Sequence, residues 1–340
     1  MAVTAQTRQE VVLPDAPDIP GLGFRPFDPD RDYAAFASLI REAHLADGVD
    51  WIPTPDSLRI EHEHSDELHP RRDIAVVEID GRLVAAAQTD VRTRDGIAVH
   101  EIQGWVRPAW RRRGLGRALL QWTERRSVEV ALVDGRTGPR TFESWPDEGQ
   151  TGAVALYESE GYAIVRYGFL MLRDLSEPVP DRRLPDGLEV RPVRPEDHRR
   201  IWDADTEAFR DHWSPAERTD ADFEGWFANP DLDTRLWQVA WDGDEVAGSA
   251  LNFIYAEEND ALGVARGWLD HISVRRPWRR RGLASALIAR SLRIFRDRGL
   301  AEAALGVDAE NLSGALRVYE AMGFRRARTG VSYRKAFTVD

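Results

Sequence analysis

The sequence predicts a mixed α/β fold in two tandem domains, because an internal repeat divides the chain and each half mixes helix and strand patterns. A chain of 340 residues fits two domains of about 150 residues better than one. Three segments of the first half recur in the same order in the second: Gly21–Pro29 as Gly187–Pro195, Val106–Gly116 as Val274–Ala284, and Ala153–Tyr162 as Ala315–Phe324. We therefore expect an N-terminal domain over residues 21–173 and a C-terminal domain over residues 187–338, joined by a linker rich in proline and charge.

The two repeats share one succession of predicted elements. A first helix is expected over residues 30–46 and 195–210, and a strand pair follows around Asp80-Gly81 and Asp242-Gly243, because Asp-Gly favours a hairpin turn. A third strand, over residues 97–106 and 267–274, leads into an arginine-rich turn and a helix. In the second repeat a strand over 301–307, a helix over 311–322 and two closing strands follow. Strand pairs in place of simple βαβ alternation predict mostly antiparallel mixed sheets flanked by helices.

Composition limits the function classes. The net charge is −12 and the pI is near 5.3, which argues against nucleic acid or an anionic membrane as the main partner. The chain has no cysteine, which excludes disulfides, thiol nucleophiles and thiolate metal sites. Apolar runs of signal-peptide or membrane-spanning type are absent, so we expect a cytoplasmic protein. His62, His64 and His69 match no compact zinc spacing; we expect them on a solvated helix face and expect no metal.

The arginine-rich turn has the composition of an anion site. In the second repeat it reads Arg279-Arg280-Arg281-Gly282-Leu283-Ala284, between a strand pattern and a helix pattern. A helix N-terminus offers unpaired N–H groups, glycine lets a ligand approach the backbone, and the arginines add positive charge. The Gly-Lys-Ser/Thr element of a P-loop and the third glycine of a dinucleotide fingerprint are both absent. A solvated basic helix start is the alternative for one copy, but the turn occurs twice in the same context, which favours phosphate binding.

Arg-x-x-Gly-x-Gly/Ala after a strand that ends in valine resembles the acetyl-CoA signature of the GNAT superfamily of N-acetyltransferases. The resemblance covers both repeats. The two-domain arrangement, with a better-preserved C-terminal copy, is similar to that of the tandem members of the superfamily. It implies domains whose sheet splays at the strand before the turn, with acetyl-CoA as co-substrate. The implied cofactor contacts are Ile272, Ser273, Val274, Arg275, Arg279, Arg280, Arg281, Gly282, Leu283, Ala284 and Asn311 in the second repeat, and Val106, Arg111, Arg112, Arg113, Gly114, Leu115 and Gly116 in the first.

Aminolysis of a thioester needs a base for the substrate ammonium and an acid for the leaving thiolate. Asn311, Ala315 and Tyr319 follow at four-residue steps, on one face of a predicted helix. The resemblance implies that Asn311 contacts coenzyme A and that Tyr319 protonates the sulfur; a core aromatic is the alternative for Tyr319. The first repeat keeps Tyr157 but has Gly149 at the asparagine position. We therefore expect a degenerate N-terminal domain that binds an acyl-CoA but turns over slowly or not at all.

The sequence constrains the general base least. Superfamily members often use a carboxylate on the strand before the turn as the base. The position where this carboxylate usually stands falls near Trp268 in this sequence. Asp270 and His271 lie on that strand and are both candidates, with an ordinary polar strand residue as the alternative for each. Glu257 and Glu258, in a predicted loop, could line an amine-binding mouth, although a solvated acidic loop is the more frequent interpretation. Tryptophans of the second repeat are expected mostly in the core, with some walling a substrate cleft: Trp202, Trp213, Trp226, Trp237, Trp241 and Trp268.

The absence of cysteine and of a recognisable Ser-His-Asp order favours direct attack in a ternary complex. We therefore expect an N-acetyltransferase that moves an acetyl group from acetyl-CoA to a primary amine of a small molecule, as a monomer or homodimer. Two alternatives stay open, namely a non-catalytic acyl-CoA sensor or partner-binding module, and a protein N-acetyltransferase. A mycothiol precursor, an aminoglycoside, an amino acid and a polyamine all stay open as acceptors.

Overall fold

The computed structural model of the chain describes residues 11, 13, 15–310 and 314–339, which form two compact units. The first unit comprises the chain up to residue 144, residues 149–163, and the chain from residue 333 onward. The second unit comprises residues 145–148 and 164–332. The two units therefore do not coincide with the two sequence repeats, because the last strand of each repeat lies wholly or partly in the other unit.

The first unit is a mixed sheet with helices packed on it. Its strands are β1 (Leu22–Pro26), β2 (Ile74–Ile79), β3 (Arg82–Arg94), β4 (Ile97–Val106) and β5 (Arg140–Ser144), and its helices are α1 (Tyr33–Asp47), α2 (Pro55–Glu63), α3 (Pro70–Asp73), α4 (Leu115–Ala131) and α5 (Thr151–Ser159). Strands β1 to β4 are antiparallel neighbours in chain order, and β4 and β5 are parallel.

The second unit repeats this arrangement. Its strands are β6 (Ala163–Asp174), β7 (Glu189–Arg191), β8 (Gln238–Asp242), β9 (Glu245–Phe253), β10 (Arg266–Val274), β11 (Glu302–Asp308) and the first part of β12 (Arg325–Phe337), and its helices are α6 (His198–Phe209), α7 (Asp220–Ala228), α8 (Ala256–Leu262), α9 (Leu283–Asp297) and α10 (Ala315–Ala321). The sheet order is β7-β8-β9-β10-β11-β6, with only β10 and β11 parallel. The predicted mixed α/β class with mostly antiparallel sheets is confirmed.

Several predicted elements match the structure closely. The Asp80-Gly81 turn has φ angles of 50° and 76°, the left-handed pair that a two-residue hairpin requires. The expected apolar face of α9 is buried at Leu283, Leu287, Ile288, Leu292 and Phe295. Local sequence therefore determines these elements.

Three predictions need correction. Glu257 and Glu258 lie in helix α8, where a loop was predicted. The helix predicted over 311–322 is the shorter α10, and Asn311 lies outside the described residues. The two predicted closing strands are a single 13-residue strand, β12.

The final strands of the two repeats are exchanged. Strand β6 pairs with β11 in the second unit, over Gly168–Asp174 and Glu302–Asp308. The last residues of β12, Tyr333–Phe337, pair with Arg140–Ser144 of β5 in the first unit. The hydrogen bonds between strands use backbone groups that all residues share. The sequence pattern therefore does not reveal which neighbouring strand β6 or β12 pairs with.

The parallel strands at the centre of each unit separate after a few paired residues. Strands β10 and β11 pair only at Arg266–Trp268, and β4 and β5 only at Ala98–Glu101, whereas β10 and β4 continue to the turn. A register shift between Leu269 and His271 makes Asp270 the extra residue of a β-bulge, while the β3–β4 register runs without a shift. Each unit thus has a splayed sheet, and the second adds a bulge at its opening.

Among the described residues, no helix combines the length and the apolar character that crossing a membrane requires.

The strand exchange predicts a stability effect at Arg334 of β12. Its Nε and Nη2 donate to the two carboxylate oxygens of the fully buried Glu143 on β5, at 3.0 and 3.1 Å. Because Arg334→Ala removes this partner from a buried charge, we expect the free energy of unfolding to fall by about 3 kcal/mol. Urea denaturation measures it, with Arg325→Ala, 79% exposed on the same strand, as a control of little effect. Small losses of equal size in Arg334→Ala and Arg325→Ala would contradict the pairing of β12 with β5.

Candidate active site

The arginine-rich turn adopts the same backbone in both units. Arg112 and Gly114 have φ angles of 59° and 91°, and Arg280 and Gly282 have 62° and 83°. Left-handed residues alternating in this way turn backbone N–H groups toward one side and form an anion-binding concavity. Helices α4 and α9 begin at the next residue and add the positive end of their dipoles. Both turns can therefore hold a phosphate with backbone groups alone.

The first arginine of each turn is a structural clamp. Arg279 donates from Nε to the Val274 carbonyl at 2.8 Å and pairs through Nη1 with Asp211 at 2.5 Å. Arg111 likewise donates to the Val106 carbonyl at 3.1 Å and pairs with Asp47 at 2.6 Å. Hydrogen bonds from Arg276 and Arg279 lower the pKa of Asp211 well below its usual range. These guanidinium groups fasten the two turns to the ends of α6 and α1.

The other predicted contacts of the turn differ in exposure. The side chains of Arg112, Arg113, Arg280 and Arg281 are exposed. Arg275 pairs with Glu207 at 2.8 Å. The remaining members of the predicted set pack inward or line the strand end: Ile272, Val274, Leu283, Ala284, Val106 and Leu115, with Ser273 hydrogen-bonded to Ser249 at 3.0 Å. The exposed arginines are therefore the cations of the turn that can reach a ligand.

A cavity of about 540 Å³ opens in the first unit beside its turn. Its lining includes Gly104 and Trp105 of β4, Gly114 and Gly116 of the turn, and Tyr157 of α5. The volume lies in the range of pockets for ligands of drug size. The slot opened by the splayed strands of this unit thus has room for a ligand.

The tyrosines at equivalent positions of α5 and α10 have different partners. The Tyr319 hydroxyl has no hydrogen-bond partner among the residues that the structure describes, and burial raises the Tyr319 pKa to about 12. The Tyr157 hydroxyl instead accepts a hydrogen bond from Ser144 at 2.8 Å, and its ring stacks on Tyr333. Burial raises the Tyr157 pKa too, although the Ser144 hydrogen bond opposes this. Tyr319 is therefore a protonated group free to donate, whereas Tyr157 is already engaged.

His271 forms a hydrogen-bonded pair with a residue that sequence reasoning missed. Its Nδ1 lies 2.8 Å from Oδ2 of Asp205 on α6, a side chain only 1% exposed. Arg218, in the segment between α6 and α7, donates to the same oxygen at 2.9 Å. The sequence did contain a signal for this pair, since Asp205 lies on the apolar face of α6 between Ile201 and Ala208. An acid on the buried face of a helix requires a partner.

The pKa values of the two acids near His271, Asp205 and Asp270, are shifted in opposite directions. Burial disfavours the charged form of Asp205, but His271 and Arg218 more than offset it and lower the Asp205 pKa. For Asp270, desolvation raises the pKa, with His271 opposing and Asp205 adding to the shift. The Asp270 side chain is still 39% exposed, so it remains accessible to a ligand. The site therefore combines a buried ionised acid with an accessible acid that is easier to protonate.

Comparison with known proteins decides the family. The model for the acetyltransferase (GNAT) family matches residues 198–324, and that for the acetyltransferase (GNAT) domain matches residues 70–164. Mycothiol acetyltransferases of Salinispora tropica and Geodermatophilus obscurus are 32% and 31% identical over 306 residues, covering 89% of this chain and 93% and 94% of theirs. The chain belongs to the GNAT acetyltransferase family. It is an N-acetyltransferase with two GNAT units, as its sequence predicts.

Solved GNAT structures agree with this assignment. A GCN5-related N-acetyltransferase from Sphaerobacter thermophilus is 30% identical, with a TM-score of 0.68 over 94% of this chain and 96% of that one. A tandem GNAT protein from the clavulanic acid biosynthesis pathway is 18% identical, with a TM-score of 0.66 over 94% and 100% of the two chains, and it bears on the fold alone.

The first GNAT unit lacks the ionisable pair. Glu42 pairs with Arg107 there as Glu207 pairs with Arg275 in the second unit, which aligns α1 with α6. The residue two positions before Glu42 is Ile40, fully buried, where the second unit has Asp205. Gln103 stands at the His271 position and accepts a hydrogen bond from Gln88. A base that could activate an amine is therefore missing from this place.

Other residues singled out in the sequence have structural partners. Glu258 is buried and accepts a hydrogen bond from the Trp268 indole at 2.8 Å, so the predicted acidic mouth does not include it as a free group. His62 is buried against the Tyr33 hydroxyl, contrary to the predicted solvated face, because α2 turns it toward an aromatic cluster. Burial lowers the His62 pKa to about 4. Among the described residues, no group of three His, Cys, Asp or Glu could hold a metal ion.

The different environments of the two tyrosines predict different stability effects. Tyr157→Phe should lower the free energy of unfolding by about 1 kcal/mol, because the buried Ser144 hydroxyl loses its acceptor. Tyr319→Phe should change it by less than about 0.5 kcal/mol, since no such bond is lost. Thermal unfolding of the two variants tests this directly, and a matching loss in both would show that the Tyr319 hydroxyl is also engaged.

Proposed function

We propose that the second GNAT unit transfers an acetyl group from acetyl-CoA to a primary amine of a small molecule by direct attack in a ternary complex. The observation that supports this most is in the second unit, where the Tyr319 hydroxyl has no hydrogen-bond partner among the described residues and His271, on the separated part of β10, is paired with Asp205. The first unit has neither feature. The names of the mycothiol acetyltransferase relatives support a small-molecule acceptor.

The turn before α9 fits the diphosphate of coenzyme A. A Cβ added to Gly282 would meet no atom within 4 Å, so space is open at the turn, and Arg280 and Arg281 are exposed beside it. Backbone groups of β10 between Ile272 and Val274, freed by the separation from β11, would bind the pantetheine amides in the manner of a strand. Bound acetyl-CoA supplies the thioester carbonyl that the amine attacks.

His271 and Asp270 would hold the acceptor nitrogen. His271 Nε2 lies 4.0 Å from Asp270 Oδ2, so one ammonium group can donate hydrogen bonds to both atoms. The Asp270 carboxylate attracts the ammonium, and His271 Nε2 accepts the proton that must leave before the nitrogen can attack. The rings of Phe209 and Trp226, at 4.9 and 4.5 Å from the imidazole ring, fix its orientation.

Tyr319 would act as the general acid. Its raised pKa keeps the phenol protonated at neutral pH, and its hydroxyl is free to donate. The proton passes to the coenzyme A sulfur as the carbon–sulfur bond breaks, while the new amide bond forms at the acceptor nitrogen. The acceptor ammonium loses two protons in all. His271 takes the first and passes it to solvent, and the second leaves the nitrogen as the amide forms and restores the proton that Tyr319 gave to the sulfur.

For the first unit we propose acyl-CoA binding without turnover. It retains the turn and the cavity of about 540 Å³, which support binding. It has Ile40 and Gln103 at the positions of the acid and the base, and Tyr157 is hydrogen-bonded to Ser144. These features support a non-catalytic role for this half of the chain.

The test is release of coenzyme A from acetyl-CoA, followed by chromatography, with four amines (spermidine, D-glucosamine, kanamycin and L-cysteine methyl ester) and with a lysine-containing peptide. Tyr319→Phe and His271→Gln should each lower kcat by about 10²-fold, because each removes one partner of general acid–base catalysis. Tyr157→Phe is the matched control and should retain wild-type kcat. Equal losses from both tyrosines would mean two working sites, and release only with peptide acceptors would favour protein acetylation.

A further inference from the structure

We propose that Asp205 is a positioning residue, which holds His271 with Nδ1 protonated and Nε2 free to accept the proton of the acceptor. This inference rests on the proposed role of His271 as base. Asp205 Oδ2 lies 2.8 Å from Nδ1, on the side of the ring away from Nε2. An ionised carboxylate can only accept a hydrogen bond, so Nδ1 must donate and the lone pair of the neutral ring is on Nε2.

Arg218 keeps Asp205 in the ionised form that this arrangement needs. Its Nη1 donates to Asp205 Oδ2 at 2.9 Å and to Thr206 Oγ1 at 3.3 Å. The guanidinium lies over the rings of Trp202 and Trp226, at 4.8 and 5.6 Å from their centres. A protonated Asp205 could donate to Nδ1 and would select the wrong tautomer, and the pKa of Asp205, which His271 and Arg218 lower, opposes this.

Folding alone does not account for a buried acid at this place. The first unit forms the same helix–strand contact with Ile40 at the Asp205 position, so the fold tolerates an apolar residue there. In addition, His271 and Arg218 both donate to Oδ2, while Oδ1 has no hydrogen-bond partner among the described residues. Leaving a buried carboxylate oxygen without a donor costs free energy, so stability alone does not favour this arrangement. The two donors instead meet on the oxygen that lies 2.8 Å from Nδ1 of the imidazole.

Charged groups face His271 from three directions. Asp205 faces it from α6, Arg218 from the segment after α6, and Asp270 from β10 itself. His212, stacked on Phe209, also interacts electrostatically with His271. Removing the Asp205 charge therefore removes attraction for the imidazolium and leaves Arg218 uncompensated.

The first measurement is the tautomer of His271 in the full-length wild-type protein. Nitrogen-15 chemical shifts of labelled histidine report which ring nitrogen carries the proton, and His271→Gln assigns the signal. We expect the Nδ1–H tautomer above the pH at which the ring gains its second proton. An Nε2–H tautomer would overturn the proposal, and this readout needs neither an acceptor nor a variant of Asp205.

The second measurement is the steady-state kinetics of Asp205→Asn with the same four-amine panel. We expect kcat to fall by about 10²-fold, because an amide can donate to Nδ1 and stabilise the tautomer without a free Nε2. The nitrogen-15 shifts of His271 in this variant should accordingly report the Nε2–H tautomer. KM for acetyl-CoA should stay within about twofold. Asp203→Asn, an exposed position on the same helix, is the control and should behave as wild type.

The outcomes separate the two proposals. A merely structural Asp205 would lower the active fraction and the melting temperature but leave the His271 tautomer and the kcat of the active fraction unchanged, which would overturn the positioning role. Wild-type kcat in His271→Gln would instead overturn the proposed base, while the tautomer measurement would still report on the Asp205–His271 pair.

Discussion

The ion pair between the first arginine of each turn and an acid at the end of α1 or α6 is the interaction on which both turns depend. Arg279 bonds at once to the last carbonyl of β10 and to Asp211, and Arg111 does the same with β4 and Asp47. Each clamp joins helix, strand and turn at one point. The turn can therefore keep non-glycine residues in left-handed conformations that would otherwise cost about 1–3 kcal/mol each. These conformations turn the backbone N–H groups toward one side.

On this shared frame the two units differ in their buried polar chemistry. The second unit joins a buried ionised acid to a histidine and a guanidinium in one network, and it adds a bulge at Asp270. The first unit fills the same place with Ile40 and a neutral glutamine pair. Burying unpaired charge is costly, and the acid of the second unit has two charged or ionisable partners. We base on this asymmetry the proposal that the second unit is catalytic and that the first binds without turnover.

Sequence predicted what local patterns determine. The hairpins, the α9 face, the two turns and their family followed from short motifs and spacing. Asp270 and His271 became candidates because they lie on the strand that leads into the turn, and their roles stay predictions. Asp205 and Arg218 were missed because their roles arise from contacts 66 and 53 residues away from His271 along the chain. The strand exchange was missed for a related reason. Its specificity lies in long-range contacts such as Arg334 with Glu143, not in a pattern along β6 or β12.

We propose two acetyl-CoA sites of which only the second is catalytic, and calorimetry on variants of the two turns separates this arrangement from one with two working sites or none. Acetyl-CoA is titrated calorimetrically into wild type, Gly114→Glu and Gly282→Glu, since each substitution places a strained, anionic side chain in one turn. We expect two sites in wild type, one in each variant, and loss of turnover only in Gly282→Glu. Full turnover in Gly282→Glu, or no binding to wild type, would rule this arrangement out.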